Sequence, residues 1–282
     1  MTFLPTIDTK LNVWTLAAVL TALYTLFGLA RGWWRSSLGK RRQLIKAYRR
    51  MAPYVCHDYV KDLFGEPAWE HKQTVQKYGA DERDEAVLQD LQLTVRTWPL
   101  GTLGFLVTWS NEHDEVLMYS LTTRSRLFRP RVAVGPHRIT LGRTPLASLP
   151  APRPDAAGPW PALGARRFSY AEQHYFGSSD GYLDRVVGVS DAGSPAAPPI
   201  GSDGEGWDSD ELAAYRRQAR INSTLVVGST IDLASVLPYG IAPDYDRVRL
   251  LELRHPARVA LAGRYGAVKR SVQGWKDRRR GQ

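Results

Sequence analysis

One stretch constrains this chain more than any other: the twenty residues Leu11–Ala30, LNVWTLAAVLTALYTLFGLA, carry no charge and run directly into a dense basic cluster. At a helical rise of about 1.5 Å per residue they span about 30 Å, the thickness of a bilayer's hydrocarbon core. Trp14 lies near one end of the run, and Trp33 and Trp34 lie just past the other, where amphipathic rings favour the interface. The competing reading is a cleaved signal peptide. Against it, only Lys10 precedes the run, the run is longer than the usual apolar core of about 7–15 residues, and Gly28-Leu29-Ala30 is a poor cleavage site. The expectation is a tail over 1–10 and a retained, single-pass transmembrane helix over 11–30.

Orientation follows from the cations. Lys10 stands alone before the run, whereas Arg31, Arg35, Lys40, Arg41, Arg42, Lys46, Arg49 and Arg50 follow it with no acid among them. Short flanks rich in Lys and Arg stay on the cytoplasmic side. The reading is therefore N-terminus out and body in the cytoplasm, with 31–52 a basic juxtamembrane segment.

The net charge of +10 is unevenly spread. Residues 31–50 contribute +8 and residues 254–282 another +8, which leaves −6 on everything else. A nucleic-acid binder needs its positive charge on the folded surface that meets phosphate, so nucleic acid is not expected as a partner. Cations flanking the body instead suit an anionic lipid surface. One cysteine, Cys56, cannot form an intramolecular disulfide.

The body, 53–252, reads as α+β, an antiparallel sheet with packed helices. Pro53 suits a helix first turn, and Val55, Tyr59, Leu63 with Cys56, Val60, Phe64 form an apolar stripe that ends at Gly65 and Pro67. Residues 70–90 are polar and read as a loop with a short helix. Strict alternation in Leu91–Arg96, large residues alternating with smaller ones in Leu103–Trp109, and a further alternation of Leu117, Tyr119 and Leu121 predict a three-stranded meander, with Asn111–Asp114 as a hairpin loop. A short helix over Leu146–Leu149, a Pro/Ala/Gly-rich loop over 150–165, strands near 168–176 and 182–190, a loop over 191–207, a helix from Ser209 and a strand over Ile221–Gly228 follow. A division into two tandem helix-plus-meander units, 53–135 and 140–252, stays open at this point. Residues 253–282 form a basic amphipathic segment: Tyr265, Val268, Val272 and Trp275 share one helical face, ringed by Lys269, Arg270 and Lys276, and Arg278, Arg279 and Arg280 close it.

Several stretches are familiar as a set: YVKDLFGEP (59–67), YSLTTRSRLFRP (119–130), ITLGRTPLASL (139–149), HYFGSSDGYLDRVVGVSDAG (174–193) and RINSTLVV (220–227). Together they resemble the bacterial ETEC-type domain family of N-terminally membrane-anchored proteins, over roughly residues 50–252. The resemblance implies kinship and assigns no catalytic residue. The helix ending in Leu-Phe-Gly-Glu-Pro before a meander is also similar in architecture to small lipoprotein modules of envelope assembly and to a tandem β-lactamase inhibitor protein; this likeness implies protein binding through an open sheet face.

No catalytic signature is present. There is no phosphate-binding Gly-Lys-Ser/Thr loop, no nucleophile elbow, and no histidine pair at metal-binding spacing. Cys56-His57-Asp58 are consecutive and so diverge on a helix, and Cys56 in the apolar stripe reads as a buried, inert thiol. The acids Asp203, Glu205, Asp208 and Asp210 lack calcium-loop spacing. No cofactor or metal is expected. Trp98 and Trp207 are candidates for an exposed binding surface; for Trp98 the competing reading is packing under a neighbouring loop. Arg31, Arg35, Lys40, Arg41, Arg42, Lys269, Arg270, Lys276, Arg278, Arg279 and Arg280 are candidates for membrane-surface contact. The function that these features suggest is a membrane-anchored, non-catalytic protein-interaction module that meets lipid and a partner protein at the cytoplasmic face. The alternatives are a membrane-associated hydrolase using carboxylates of 172–184 or 203–211, and an anionic-lipid surface sensor.

Overall fold

The computed structural model describes residues 13–80, 86–125, 127–151, 160–164, 167–176, 183–190, 192, 209–228, 231–237 and 240–243. The chain divides into two compact units, Met1–Arg50 and Met51–Gln282.

The first unit contains one helix, α1, Val13–Tyr48, of 36 residues. Leu20, Leu23, Tyr24, Leu26 and Phe27 are all exposed on it. At about 100° per residue these five fall within an arc of about 160°, and the rest of the turn is made by Thr21, Ala22, Thr25 and Gly28, so the stretch carries no charge on any side. The hydroxyl of Thr25 donates back to the carbonyls of Thr21 at 3.0 Å and Ala22 at 2.8 Å, so it needs no water. Among the described residues no helix is long and apolar enough to cross a membrane.

The second unit is built on one antiparallel sheet. Its strands are β1 (Trp69–Ala80), β2 (Ala86–Pro99), β3 (Gly104–Ser110), β4 (Val116–Thr123), β7 (Trp160–Gly164), β8 (Arg167–Phe176), β9 (Leu183–Ser190) and β10 (Ser223–Gly228), in the order β1-β2-β3-β4-β10-β9-β8-β7. A separate hairpin pairs β5 (Arg131–Val134) with β6 (His137–Thr140). Helix α2 (His57–Phe64) precedes β1, a single 3₁₀ turn covers Leu146–Ser148, α3 (Ser209–Gln218) precedes β10, and α4 (Leu233–Val236) follows it. The body is thus α+β, and the two halves of the chain do not form separate sheets. The meander β1–β4 and the group β7–β10 join where β4 pairs with β10, with Thr224 opposite Leu121 and Val226 opposite Tyr119.

The sheet curls and buries both faces. On one face Val75, Val95, Trp109, Met118, Leu225 and Val227 form a core closed by α4 and Ile241. On the other, Trp98, Leu106 and Leu121 are buried together with Phe128, Ile139 and Leu146. Burial on both faces explains the apolar runs of β3, β4 and β10, every residue of which is buried.

The three expected strands of the meander are present, and Gly65 closes α2 with φ 82. Four expectations need correction, one being that the loop read over 150–165 contains strand β7. Residues 70–90 are not a loop: most of them form β1 and the start of β2. Their polarity belongs to an edge strand, on which Val75 is the buried apolar residue. Helix α2 begins at His57 rather than in the turn at Pro53, which leaves Cys56 at the N-cap, bridged to Glu115. Cys56 is therefore exposed, not a buried core thiol. The readings of 1–10, 191–207 and 253–282 fall on residues outside those described, save Ala192.

Candidate functional site

Among the described residues charged side chains are buried in three places, one of them Asp232 beside β1. The first surrounds Glu172 on β8, whose side chain has no exposed surface. Its Oε1 accepts from the Tyr170 hydroxyl at 2.6 Å and from Arg216 Nε at 2.7 Å, while Oε2 accepts from Arg216 Nη2 at 3.2 Å and lies 3.4 Å from His174 Nε2. Arg216 comes from α3, and its Nη2 also donates to the carbonyls of Leu149 at 3.0 Å and Pro150 at 2.8 Å. Tyr170 and Tyr215 meet edge to face with centroids 5.1 Å apart. Burial first, and then the Glu172 charge, push both phenols up. This is a buried ion pair whose lone pairs and protons are used to tie α3, the 3₁₀ turn and β8 together. A carboxylate so enclosed by its own chain is not presented to a substrate.

The second place is Arg96 on β2. Its Nε donates to Glu70 Oε2 at 3.0 Å and its Nη2 to Asp114 Oδ1 at 2.8 Å, joining β1 to the β3–β4 turn. That turn is built by Asn111, whose Oδ1 accepts from the backbone N–H groups of His113 and Glu115, each at 2.9 Å, with Asp114 at φ 59. His57 packs against Trp98 with ring centroids 5.8 Å apart. Burial, and after it the Arg96 guanidinium, holds the His57 imidazole below its ordinary range. Among the described residues no cluster of His, Cys, Asp or Glu could hold a metal ion.

The surface feature that stands apart is the β1–β2 arm. β2 pairs with β3 only over Thr94–Pro99, whereas it pairs with β1 over Ala86–Thr97. From Ala86 to Leu93, then, β2 has β1 as its only strand partner among the described residues, and the two form a ribbon that runs past the end of β3. The ribbon carries three large exposed apolar side chains, Tyr78, Val87 and Leu88. Tyr78 and Leu88 are directly opposite each other, on one face. A two-stranded ribbon is marginal by itself in water. Here it is braced by the segment after β10: Ile231 bridges Lys77, Asp232 N–H donates to the Gln76 carbonyl at 2.8 Å, Ser235 Oγ accepts from Gln76 N–H at 2.8 Å, and the Tyr78 hydroxyl donates to Asp232 Oδ1 at 3.0 Å.

Trp98 is not a binding surface. It is 1% exposed, and its Nε1 donates to the Gly65 carbonyl at 2.7 Å, so the end of α2 covers it. Trp207 and the C-terminal cations Lys269, Arg270, Lys276, Arg278, Arg279 and Arg280 lie outside the described residues. Arg31, Arg35, Lys40, Arg41 and Arg42 lie on α1, with Lys40 and Arg42 exposed. Sequence reasoning missed Tyr78, Val87 and Leu88 because it took their region for a loop. The signal was there as a Val-Leu pair in a polar stretch, opposite a Tyr.

Comparison of the chain with family models, with curated proteins and with solved structures finds no match. The resemblance to the ETEC-type domain family thus rests on the quoted stretches alone.

Proposed function

We propose that this protein is a membrane-tethered, non-catalytic interaction module that binds a partner protein through the β1–β2 arm. The observation that carries the reading is the projecting ribbon with Tyr78, Val87 and Leu88 exposed on it. Tyr78 and Leu88 side by side on one face, with Val87 on the other, are anchors of the kind that a partner can desolvate. The buried carboxylate of β8 favours this reading over a hydrolase, because Glu172 is consumed by Arg216 and Tyr170.

The tether is part of the proposal. It is supported by the uncharged run within α1 and by the five large apolar side chains exposed on its stretch 20–28. An uncharged helix with a wide face of exposed Leu, Phe and Tyr is best accommodated in nonpolar material, where the Thr25 hydroxyl is already satisfied by its own backbone. The cations that follow the run put the body on the cytoplasmic side and bring it to anionic lipid. Kinship with the ETEC-type domain family fits the same arrangement.

The test is an affinity capture of the full chain from membranes in mild detergent, beside Val87→Asp/Leu88→Asp. A partner held by the parent chain and lost by the variant, with the circular dichroism of the two alike, is the expected result. A partner retained equally by both, or no partner at all, overturns the reading.

A further inference from the structure

Strand β1 ends the sheet order, so one of its edges has no neighbouring strand among the described residues. Gln76 shows which residues turn their backbone outward, because its N–H donates to Ser235 Oγ and its carbonyl accepts from Asp232 N–H. The register with β2 is unbroken from Trp69 to Ala80. By the two-residue period of a strand, Glu70, Lys72 and Thr74 turn their N–H and C=O groups the same way. Among the described residues the brace of 231–235 bonds to this edge at Gln76–Tyr78 and not at Glu70–Thr74. Glu70, Lys72 and Thr74 also have exposed side chains, all on the one face.

We propose that this open stretch pairs antiparallel with the same stretch of a second copy of the chain, about a two-fold axis at His71. Only residues with outward backbone groups can exchange hydrogen bonds across such an edge. Centring on Lys72 sets Lys72 against Lys72, and centring on Glu70 sets Glu70 against Glu70; like charges directly opposite repel. Centring on Gln73 sets Glu70 against Gln76, whose backbone is already bonded. Centring on His71 sets Glu70 against Lys72 twice, with both backbone groups of each residue exchanged and opposite charges adjacent. Glu70 keeps its bond to Arg96 in this arrangement, with 61% of its side chain exposed, and Lys72 is exposed too. The inference rests on the reading of this protein as an interaction module, and names a second copy as what covers the edge while leaving the arm's apolar tip for another protein.

The experiment uses the full chain in mild detergent with Cys56→Ser as background, because the native thiol is exposed. His71→Cys and Gln73→Cys are compared under mild oxidation, and light scattering gives the protein mass of the untreated background chain. In the proposed register position 71 faces itself at a non-hydrogen-bonded site, where Cα atoms lie about 4.5 Å apart and a disulfide fits. Position 73 faces 69 and lies too far from its own copy. The expected result is a doubled protein mass and a reducible dimer from His71→Cys but not from Gln73→Cys. Lys72→Glu, which leaves Glu facing Glu, weakens dimerisation by about tenfold or more. A monomeric mass, or cross-linking at 73 equal to that at 71, overturns the pairing. If the chain is monomeric while the Val87→Asp/Leu88→Asp variant still loses a captured partner, the dimer falls and the interaction reading stands. A selective 71 cross-link with no partner sensitive to the arm does the reverse.

Discussion

Glu172 and Arg216 show at the residue scale why a conspicuous charged cluster need not be a site. Each spends its polar atoms on the same interior, and removing one leaves the other charged and buried. Arg216→Met is expected to lower the unfolding free energy by about 3–5 kcal/mol, measured by urea titration, because Glu172 loses its counter-charge. A loss under 1 kcal/mol would mean that water reaches Glu172. The phenols around the core add a pH dependence. Burial pushes Tyr119 up to about 12, and raises Tyr170 and Tyr215 as well. Below about pH 10 these groups are neutral in both folded and unfolded chains, so they contribute nothing to the pH dependence. Above it the unfolded chain releases protons that the folded chain keeps, so stability falls as pH rises. Urea midpoints that hold steady up to about pH 9 and decline beyond 10 are expected, whereas a flat profile to pH 12 would contradict the burial of these side chains. Trp98→Ala should cost about 3–5 kcal/mol and leave partner capture unchanged in whatever fraction stays folded, since the ring is core and not surface.

Elements whose pattern matched a single environment were the ones visible in the sequence. The alternation of Leu91, Leu93 and Val95 marked β2, and the acids and cations at the two ends of α3 marked that helix. The elements that escaped were those whose burial depends on distant partners. β1 is mostly polar because it is an edge strand, with Val75 its buried core residue, and its pattern alone does not distinguish it from a loop. β7 hides in a Pro- and Ala-rich stretch, and Pro161 is tolerated there because β7 ends the sheet. β5 and β6 are only four residues each, although Val132 and Val134 alternate with exposed neighbours. The tight spot within the sheet was invisible as well: a Cβ at Gly188 would collide with the Tyr170 carbonyl oxygen on β8. Gly188→Ala is expected to cost about 1–3 kcal/mol by overpacking, read as a lowered urea midpoint. An unchanged midpoint would show that β8 and β9 can separate locally. The β1–β2 arm was lost with β1, since it is defined by where β3 stops.

At the scale of the whole molecule the proposal has two parts, a membrane tether in the uncharged run of α1 and a binding ribbon on the body. If the tether is right, Leu20→Arg/Leu23→Arg puts two cations into the apolar run at about 2.5–3.5 kcal/mol each. The chain should then leave the membrane pellet under alkaline wash, while the parent stays; a parent chain that washes off equally would remove the tether from the account. The central claim concerns the arm, and a photoreactive side chain tests it in intact membranes. The group is placed at Leu88 on the arm, and for comparison at Leu127, an equally apolar residue that is 67% exposed elsewhere on the body. A discrete protein adduct is expected from position 88 and none from 127. Adducts of equal yield from both positions, or none from 88, would contradict it.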